Sequence, residues 1–431
     1  MPYDIHDEIK RLNSSGAGER LEALARLRAA VDNGEITLPP RERDINNHIH
    51  TTYSFSPYSP AKAVWKSCEA GLCTCGIVDH DSVSGCREFV EAGRIMDIPV
   101  TIGAELRADM SATQFRGRRL NNTDQPTVAY VTLHGIPHTQ IDAVSAYIAP
   151  YLARRHGRNL RMTANITALL GTIDSRLALD YESDVRPLSQ SADGGSVTER
   201  HLLCALVGKM NGAFGRGADA AEFLEKRLGI ALSAKGRAQL LEEGNPHYDY
   251  DLLGILKSEF LEHVFVPATD ECPPIAEVAD FTAKHGIVLA YAYLGDIGDS
   301  VTGDKKAQAF EDAYLDELME ALPVLGFNAV TYMPSRNTDA QLGRIRALCV
   351  EHNLFQICGE DINQTRQQFV CEPLRRPEFA NLYHSTWALI GHERRATKDL
   401  GGGMFSPETV GRLPGLDARI AEYAAWAMAN K

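Results

Sequence analysis

The sequence predicts an α/β fold of repeated strand–helix units, interrupted by a mainly helical subdomain at residues 140–279. Three observations lead there. Short apolar runs alternate with helical-period segments on both sides of that interruption, the pattern of parallel βα units. Within it the apolar period is that of helices, and no strand-like run carries a ligand-type residue. Histidine, aspartate and glutamate recur at the ends of the strand-like runs, where active sites of α/β folds gather.

Composition narrows the class. A chain of 431 residues has room for one large domain with an insertion or for two or three ordinary ones. Its 44% apolar and 23% charged content is that of a soluble globular protein. Lys and Arg total 44 against 57 Asp and Glu, a net charge of −13. That balance argues against an extended nucleic-acid surface, which needs a basic stripe, and leaves room for a small phosphorylated substrate. No run approaches the ~18 apolar residues of a membrane span. The first residues lack the apolar core of a secretory signal, so a cytoplasmic location is expected. Nine cysteines, an odd number, read as reduced thiols. The spacing of Cys68, Cys73, Cys75 and Cys86 is not that of a zinc finger, and they read as small buried hydrophobes. Oligomeric state is not legible.

In chain order, residues 1–43 form a helical extension, with Ile9, Leu12, Leu21, Leu24, Leu27 and Ala30 near helical spacing. The first part of the α/β domain occupies 44–139. Strands are expected at 44–50, 74–78, 99–103 and 127–133, with helices at 60–70 and 84–96. In the insertion the helical stretches are 141–154, 161–170, 201–210, 220–228 and 252–263. The second part, 280–431, resumes the rhythm: strands at 287–291, 328–332 and 355–358, helices at 273–285, 305–322 and 339–352, then further helices packed outside.

His48 and His50 lie at i and i+2 of the first strand, so both imidazoles face one side. Asp79 and His80 end the second strand, Glu105 follows the third, His134 ends the fourth and Asp361 follows the last. Nitrogen and carboxylate ligands in this mixture suit zinc, manganese or iron, and a carboxylate such as Glu105 can bridge two ions.

His48-Ile49-His50-Thr51, Ile77-Val78-Asp79-His80-Asp81, Gly103-Ala104-Glu105, Leu133-His134 and Gly359-Glu360-Asp361, in that order, resemble the motifs of the PHP (polymerase and histidinol phosphatase) family. The resemblance covers about 44–139 and 280–370. It implies a distorted (β/α)7 barrel holding up to three metal ions at its strand ends, in a family whose characterised members mostly hydrolyse phosphoesters. The insertion, with Arg200-His201 opening a helix, is similar to the branch that includes nucleotide phosphatases and exoribonucleases.

Carried over by position, the resemblance implies that His48, His50, Glu105 and Asp361 hold a first ion, with that set intact. A second ion would use Glu105, His134 and a histidine in whose place Tyr291 stands. A third would use His80 and positions occupied here by Phe55 or Ser56 and by Asn363. The expected activity is metal-assisted hydrolysis of a small phosphorylated metabolite or nucleotide. Asp79 would orient a ligating histidine, Arg107 and Arg336 would neutralise substrate charge, and His138 and His201 would line the cavity. Two other readings stay open: a catalytically silent metal- or phosphate-binding protein, and a hydrolase of a non-phosphate bond.

Overall fold

The structure, a computed structural model, describes residues 4–296 and 309–430. Among these, seven strands form one sheet in sequence order: β1 Ile45–Ile49, β2 Thr74–His80, β3 Val100–Asp109, β4 Val128–His134, β5 Val288–Ala292, β6 Ala329–Tyr332 and β7 Phe355–Cys358. The sheet curls until its edges meet. Ile362, just past β7, donates its N–H to the His48 carbonyl (3.1 Å), and the His50 N–H returns to the Ile362 carbonyl (3.0 Å). The result is the expected seven-stranded α/β barrel, nearly closed.

One strand departs from the expected parallel rhythm. β4 runs antiparallel to both β3 and β5, whereas the other neighbours are parallel. Parallel neighbours need a crossover, usually a helix, while antiparallel ones need only a turn. Residues 110–126, which carry Gly117, Asn121, Asn122 and Pro126, supply bends and turns and no helix, so the chain folds straight back. His134 therefore lies opposite Gly103, two positions along β3 from Glu105, rather than at the open mouth.

The helices are α1 Ile5–Arg11, α2 Ala17–Asp32, α3 Pro60–Glu69, α4 Cys86–Met96, α5 Ile141–Gly171, α6 Glu199–Phe214, α7 Ala218–Lys226, α8 Ala234–Leu241, α9 Tyr248–Glu259, α10 Ile275–Lys284, α11 Leu315–Val324, α12 Asp339–Glu351, α13 Ala380–Lys398, α14 Pro407–Arg412 and α15 Leu416–Ala429. The helix expected at 305–322 starts at Leu315, and the beginning of that range lies outside the described residues. The N-terminal helices pack on the barrel: Leu12, Leu24 and Leu27 share its core, and Arg20 is buried against Glu88 of α4, Nε to Oε1 at 2.8 Å. At the other end of the chain α13 carries Glu393, whose carboxylate accepts from the Thr101 hydroxyl (2.7 Å) and the Ile102 N–H (2.8 Å) of β3.

α5 joins two cores. Its Ile141, Val144 and Ile148 belong to the barrel core, and its Met162, Ile166 and Leu170 to a separate core built with α6, α7 and α9. Between these apolar stretches Arg155 and Arg158 are buried. They meet Asp81 after β2, Arg107 of β3, Glu199 of α6 and Glu271 in one ion-pair network. Three guanidinium groups face three carboxylates there, the pairing that buried charges require. The nine cysteines are all free thiols. No helix among the described residues is long and apolar enough to cross a membrane.

Candidate metal centre

β1 owes its position to an asparagine. The Asn46 side chain accepts from the His48 N–H (2.9 Å) and the Glu360 N–H (3.0 Å) and donates to the Glu360 carbonyl (3.2 Å). It thereby draws the loop after β7 against β1. That approach leaves no room for a side chain at residue 359, where a Cβ would lie 2.6 Å from the His48 nitrogen, so glycine is required there. Sequence reading missed Asn46, because an amide inside a strand resembles any other half-buried polar residue.

Held this way, Asp361 meets the two histidines of β1. His50 Nε2 lies 3.1 Å from Asp361 Oδ1 and 3.2 Å from His48 Nε2. β2 and β3, paired so that His80 stands beside Glu105, place His80 Nδ1 3.0 Å from Glu105 Oε2, and the same oxygen is 3.8 Å from both His48 Nε2 and His50 Nε2. Two overlapping sets have ligand atoms all within 4.8 Å of one another: His48, His50, Asp361 and His50, His80, Glu105. The carboxylates are strongly biased toward charge. Burial opposes ionisation of Glu105, yet the neighbouring His80, His48 and His50 hold it down at about 2, and contact with His50 holds Asp361 well below the usual range despite the same opposition. Burial lowers His48, whereas at His50 the hydrogen bond and charge of Asp361 outweigh burial and raise it.

His134 tests whether this centre suits a cation. It is 1% exposed, burial depresses its pKa to about 3, and neither ring nitrogen has a hydrogen-bond partner. A buried imidazole with both nitrogens unsatisfied is costly unless something occupies its lone pair. With the ring beside His48 and Glu105, a divalent ion fits the donor set.

Several expected residues stand elsewhere. Tyr291 does not reach the centre. On β5 it points into the core with Leu289 and meets the Phe327 ring (centroids 6.1 Å apart), while Ala292 lines the cavity in its place. Strand alternation explains the error, since a one-residue offset in matching a motif moves a side chain to the opposite face. Asn363 works through Asp361, donating from Nδ2 to Oδ1 at 2.7 Å. Phe55 fills the place where a third ion's ligand would follow the first motif; it packs edge-on against His201 (5.0 Å) within the insertion's core. His201 is thus a buried capping residue of α6, its Nδ1 accepting from the Thr198 N–H (3.0 Å), and not a cavity wall. His138 likewise lies away from the cavity and binds Glu393 (2.8 Å). Arg107 is committed to Glu271 (2.5 Å) and Glu199 (3.5 Å) in the network under the insertion, which leaves it as a tie between the two cores. Among the described residues Asp79 has no direct hydrogen bond to an imidazole: its oxygens accept from the Thr51 N–H and hydroxyl and from the Ser54 hydroxyl, each at 2.6 Å.

A cavity of about 560 Å³ opens over the centre, lined by His48, His80, Glu105 and Asp361 below and by Tyr130, Tyr293 and Tyr332 on its walls. Arg336 lines it from the loop after β6, and Arg200 and Lys257 line it from the insertion. Arg200, whose charge also helps hold the Asp361 carboxyl down, was read in the sequence only as the opening of a helix.

The fold and this convergence define a class: an α/β barrel that gathers histidines and carboxylates from four strand ends at metal-ligand spacing. The comparisons with known proteins bear on less than that. No family model matches the chain. A stretch of 67 residues is 34% identical to the error-prone DNA polymerases of Mycobacterium tuberculosis and Mycobacterium bovis, covering 15% of this chain and only 6% of theirs. Among solved structures, an amidohydrolase from Chromobacterium violaceum with bound sulfate and no metal is similar over 79% of this chain and 96% of its own, with a TM-score of 0.50 and 15% identity. A Bifidobacterium adolescentis protein, provisionally assigned as a metal-dependent phosphoesterase, covers 78% of this chain and 96% of its own at a TM-score of 0.49 and 17% identity. At such identities the likeness is one of fold.

Proposed function

We propose that this protein is a metal-dependent hydrolase that cleaves phosphate esters of a small metabolite or nucleotide. The observation that carries the proposal is the convergence of His48, His50, His80, Glu105 and Asp361 beneath an open cavity, with His134 buried and unpartnered beside them. His48, His50, Glu105 and Asp361 would hold one ion. Glu105 with His80 or His134 offers a place for another. Zinc, manganese and iron all suit such nitrogen and carboxylate donors. When bound, a divalent ion supplies Lewis-acid polarisation of the phosphoryl oxygen and acidifies a water.

The chain's own groups do the rest. Arg200 and Lys257, reaching in from the insertion, and Arg336, from the loop after β6, bring positive charge to a substrate phosphate. Tyr130, Tyr293 and Tyr332 give the cavity an apolar wall against which an organic leaving group packs, and about 560 Å³ suits a small molecule. Asn363 keeps Asp361 turned toward His50.

The test is phosphate release from a panel of phosphomonoesters and diesters, with zinc, manganese or iron added to metal-free protein and metal content measured on the same samples. Turnover that requires a divalent ion and is lost in Glu105→Gln supports the proposal. A protein that loads metal and releases no phosphate from any ester contradicts it. Amide substrates belong in the same panel, because the similar fold of the Chromobacterium protein carries the name of an amidohydrolase.

A further inference from the structure

His50 can serve as a ligand only through Nε2, which faces Asp361 and His48. In a neutral imidazole only one nitrogen carries the hydrogen, and the partner of the other nitrogen decides which. Asp361 alone, 3.1 Å from Nε2, would draw a hydrogen onto that atom and block it for a cation. The opposite side of the ring holds the counterweight. His50 Nδ1 lies 3.3 Å from Ser54 Oγ, and Ser54 Oγ lies 2.6 Å from Asp79 Oδ1. A hydroxyl has one hydrogen. Ser54 spends it on the carboxylate at the shorter distance and can only accept from the ring, so Nδ1 must carry the hydrogen.

The serine is fixed in that role. Asp79 also receives the Thr51 N–H and hydroxyl, each at 2.6 Å, and the Ser54 N–H closes a turn on the Thr51 carbonyl at 3.0 Å. His50, Thr51, Ser54 and Asp79 are each at most 1% exposed, so bulk solvent does not reach these bonds. We infer that Ser54, clamped by Asp79, is a positioning residue that selects the Nδ1–H tautomer of His50 and so frees Nε2 for a divalent cation. The inference rests on the metal-centre reading above. It assigns Asp79 an action transmitted through a hydroxyl, in line with the general finding that partners behind a ligating histidine set its orientation and basicity.

Two readouts test it without turnover. The first is the ¹⁵N spectrum of histidine-labelled protein, metal-free and zinc-loaded; the second is zinc affinity measured by chelator competition. Wild type is expected to show a hydrogen on His50 Nδ1, and Ser54→Ala to lose that signature and bind zinc about 10- to 100-fold more weakly. Asp79→Ala, which removes the oxygen that accepts from Ser54, should weaken zinc comparably, Asp79→Asn, which keeps Oδ1, should weaken it less, and the Ser54→Ala/Asp79→Ala double variant should be little worse than either alanine variant alone. Thermal unfolding of each variant checks that the fold survives. A metal-free wild type with its hydrogen on Nε2 and a bare Nδ1, full zinc affinity in Ser54→Ala, or additive losses in the double variant would each overturn the relay. Wild type that binds no divalent ion while showing Nδ1–H would instead sink the metal-centre reading and leave the tautomer assignment supported.

Discussion

The two arcs of the barrel have been put to different uses. β1, β2, β3 and the loop after β7 carry His48, His50, His80, Glu105 and Asp361, and the same arc carries Phe55, Asp81 and Arg107, onto which the insertion is fastened. β4, β5 and β6 contribute one buried histidine, His134, and otherwise Tyr130, Ala292, Thr331 and Tyr332 as cavity wall. The difference teaches that among the described residues the clustered ligands sit on one side, with His134 alone facing them from the other, and that docking of the insertion and order at the ligands share the same backbone. Damage to the near arc touches the clustered ligands and the docking of the insertion together.

The sharpest way to break that comparison is to remove a near-arc ligand. Asp361→Ala is expected to weaken zinc by more than ~100-fold, beyond what loss of a supporting partner costs, as read by chelator competition. Next in size is Glu199→Ala, which leaves Arg107, Arg155 and Arg158 facing one another with less compensating charge. Breaking a buried ion pair from one side costs about 3–5 kcal/mol, measurable as a shift in the urea unfolding midpoint. Zinc affinity should fall as well, because Asp81 follows the His80 strand end directly.

Two histidines buried away from the centre give folding stability a pH dependence of their own. Burial depresses His201 to about 3 and His392 to about 4, against an ordinary 6.5. Both are lowered in the folded state, so the unfolded chain takes up the protons first. The stability they contribute is therefore complete above about pH 6.5 and is lost as pH falls below it. Between pH 7.5 and 5 each should cost about 2 kcal/mol, a slope that urea unfolding at the two pH values would show and that His392→Gln would reduce. The smallest effect belongs to Tyr291→Phe. With its hydroxyl buried and unpartnered in the core, the variant should leave zinc affinity unchanged and stabilise the fold by about 1 kcal/mol. A large loss of zinc binding there would move the centre toward the far arc.

Much of this was legible in the sequence because strand ends announce themselves: an apolar run stopping at His-x-His, Asp-His or Gly-Glu-Asp is visible without knowing what lies across the barrel. The direction of β4 was not read, because the clue was a missing helix between residues 110 and 126. The continuity of α5 was hidden for another reason. Pro150 and the polar stretch 155–159 look like an interruption, yet Arg155, Arg158 and Asn159 face inward to the buried network, so one helix runs through. The roles of Arg107 and His138 escaped because each is bound to a carboxylate far away in sequence, Glu271 and Glu393, whereas that of His201 lies in the local Thr198 turn, three residues back. The value of Ser54 lies in a bond to Asp79 that spacing cannot show.

The most direct test is anomalous diffraction from crystals grown with zinc or manganese. The account predicts an ion bound by His48, His50, Glu105 and Asp361, any further ion beside Glu105 with His80 or His134, and none in contact with Tyr291. Fully loaded crystals with no ion at His48 and His50, or with one held by β5 and β6, would contradict it.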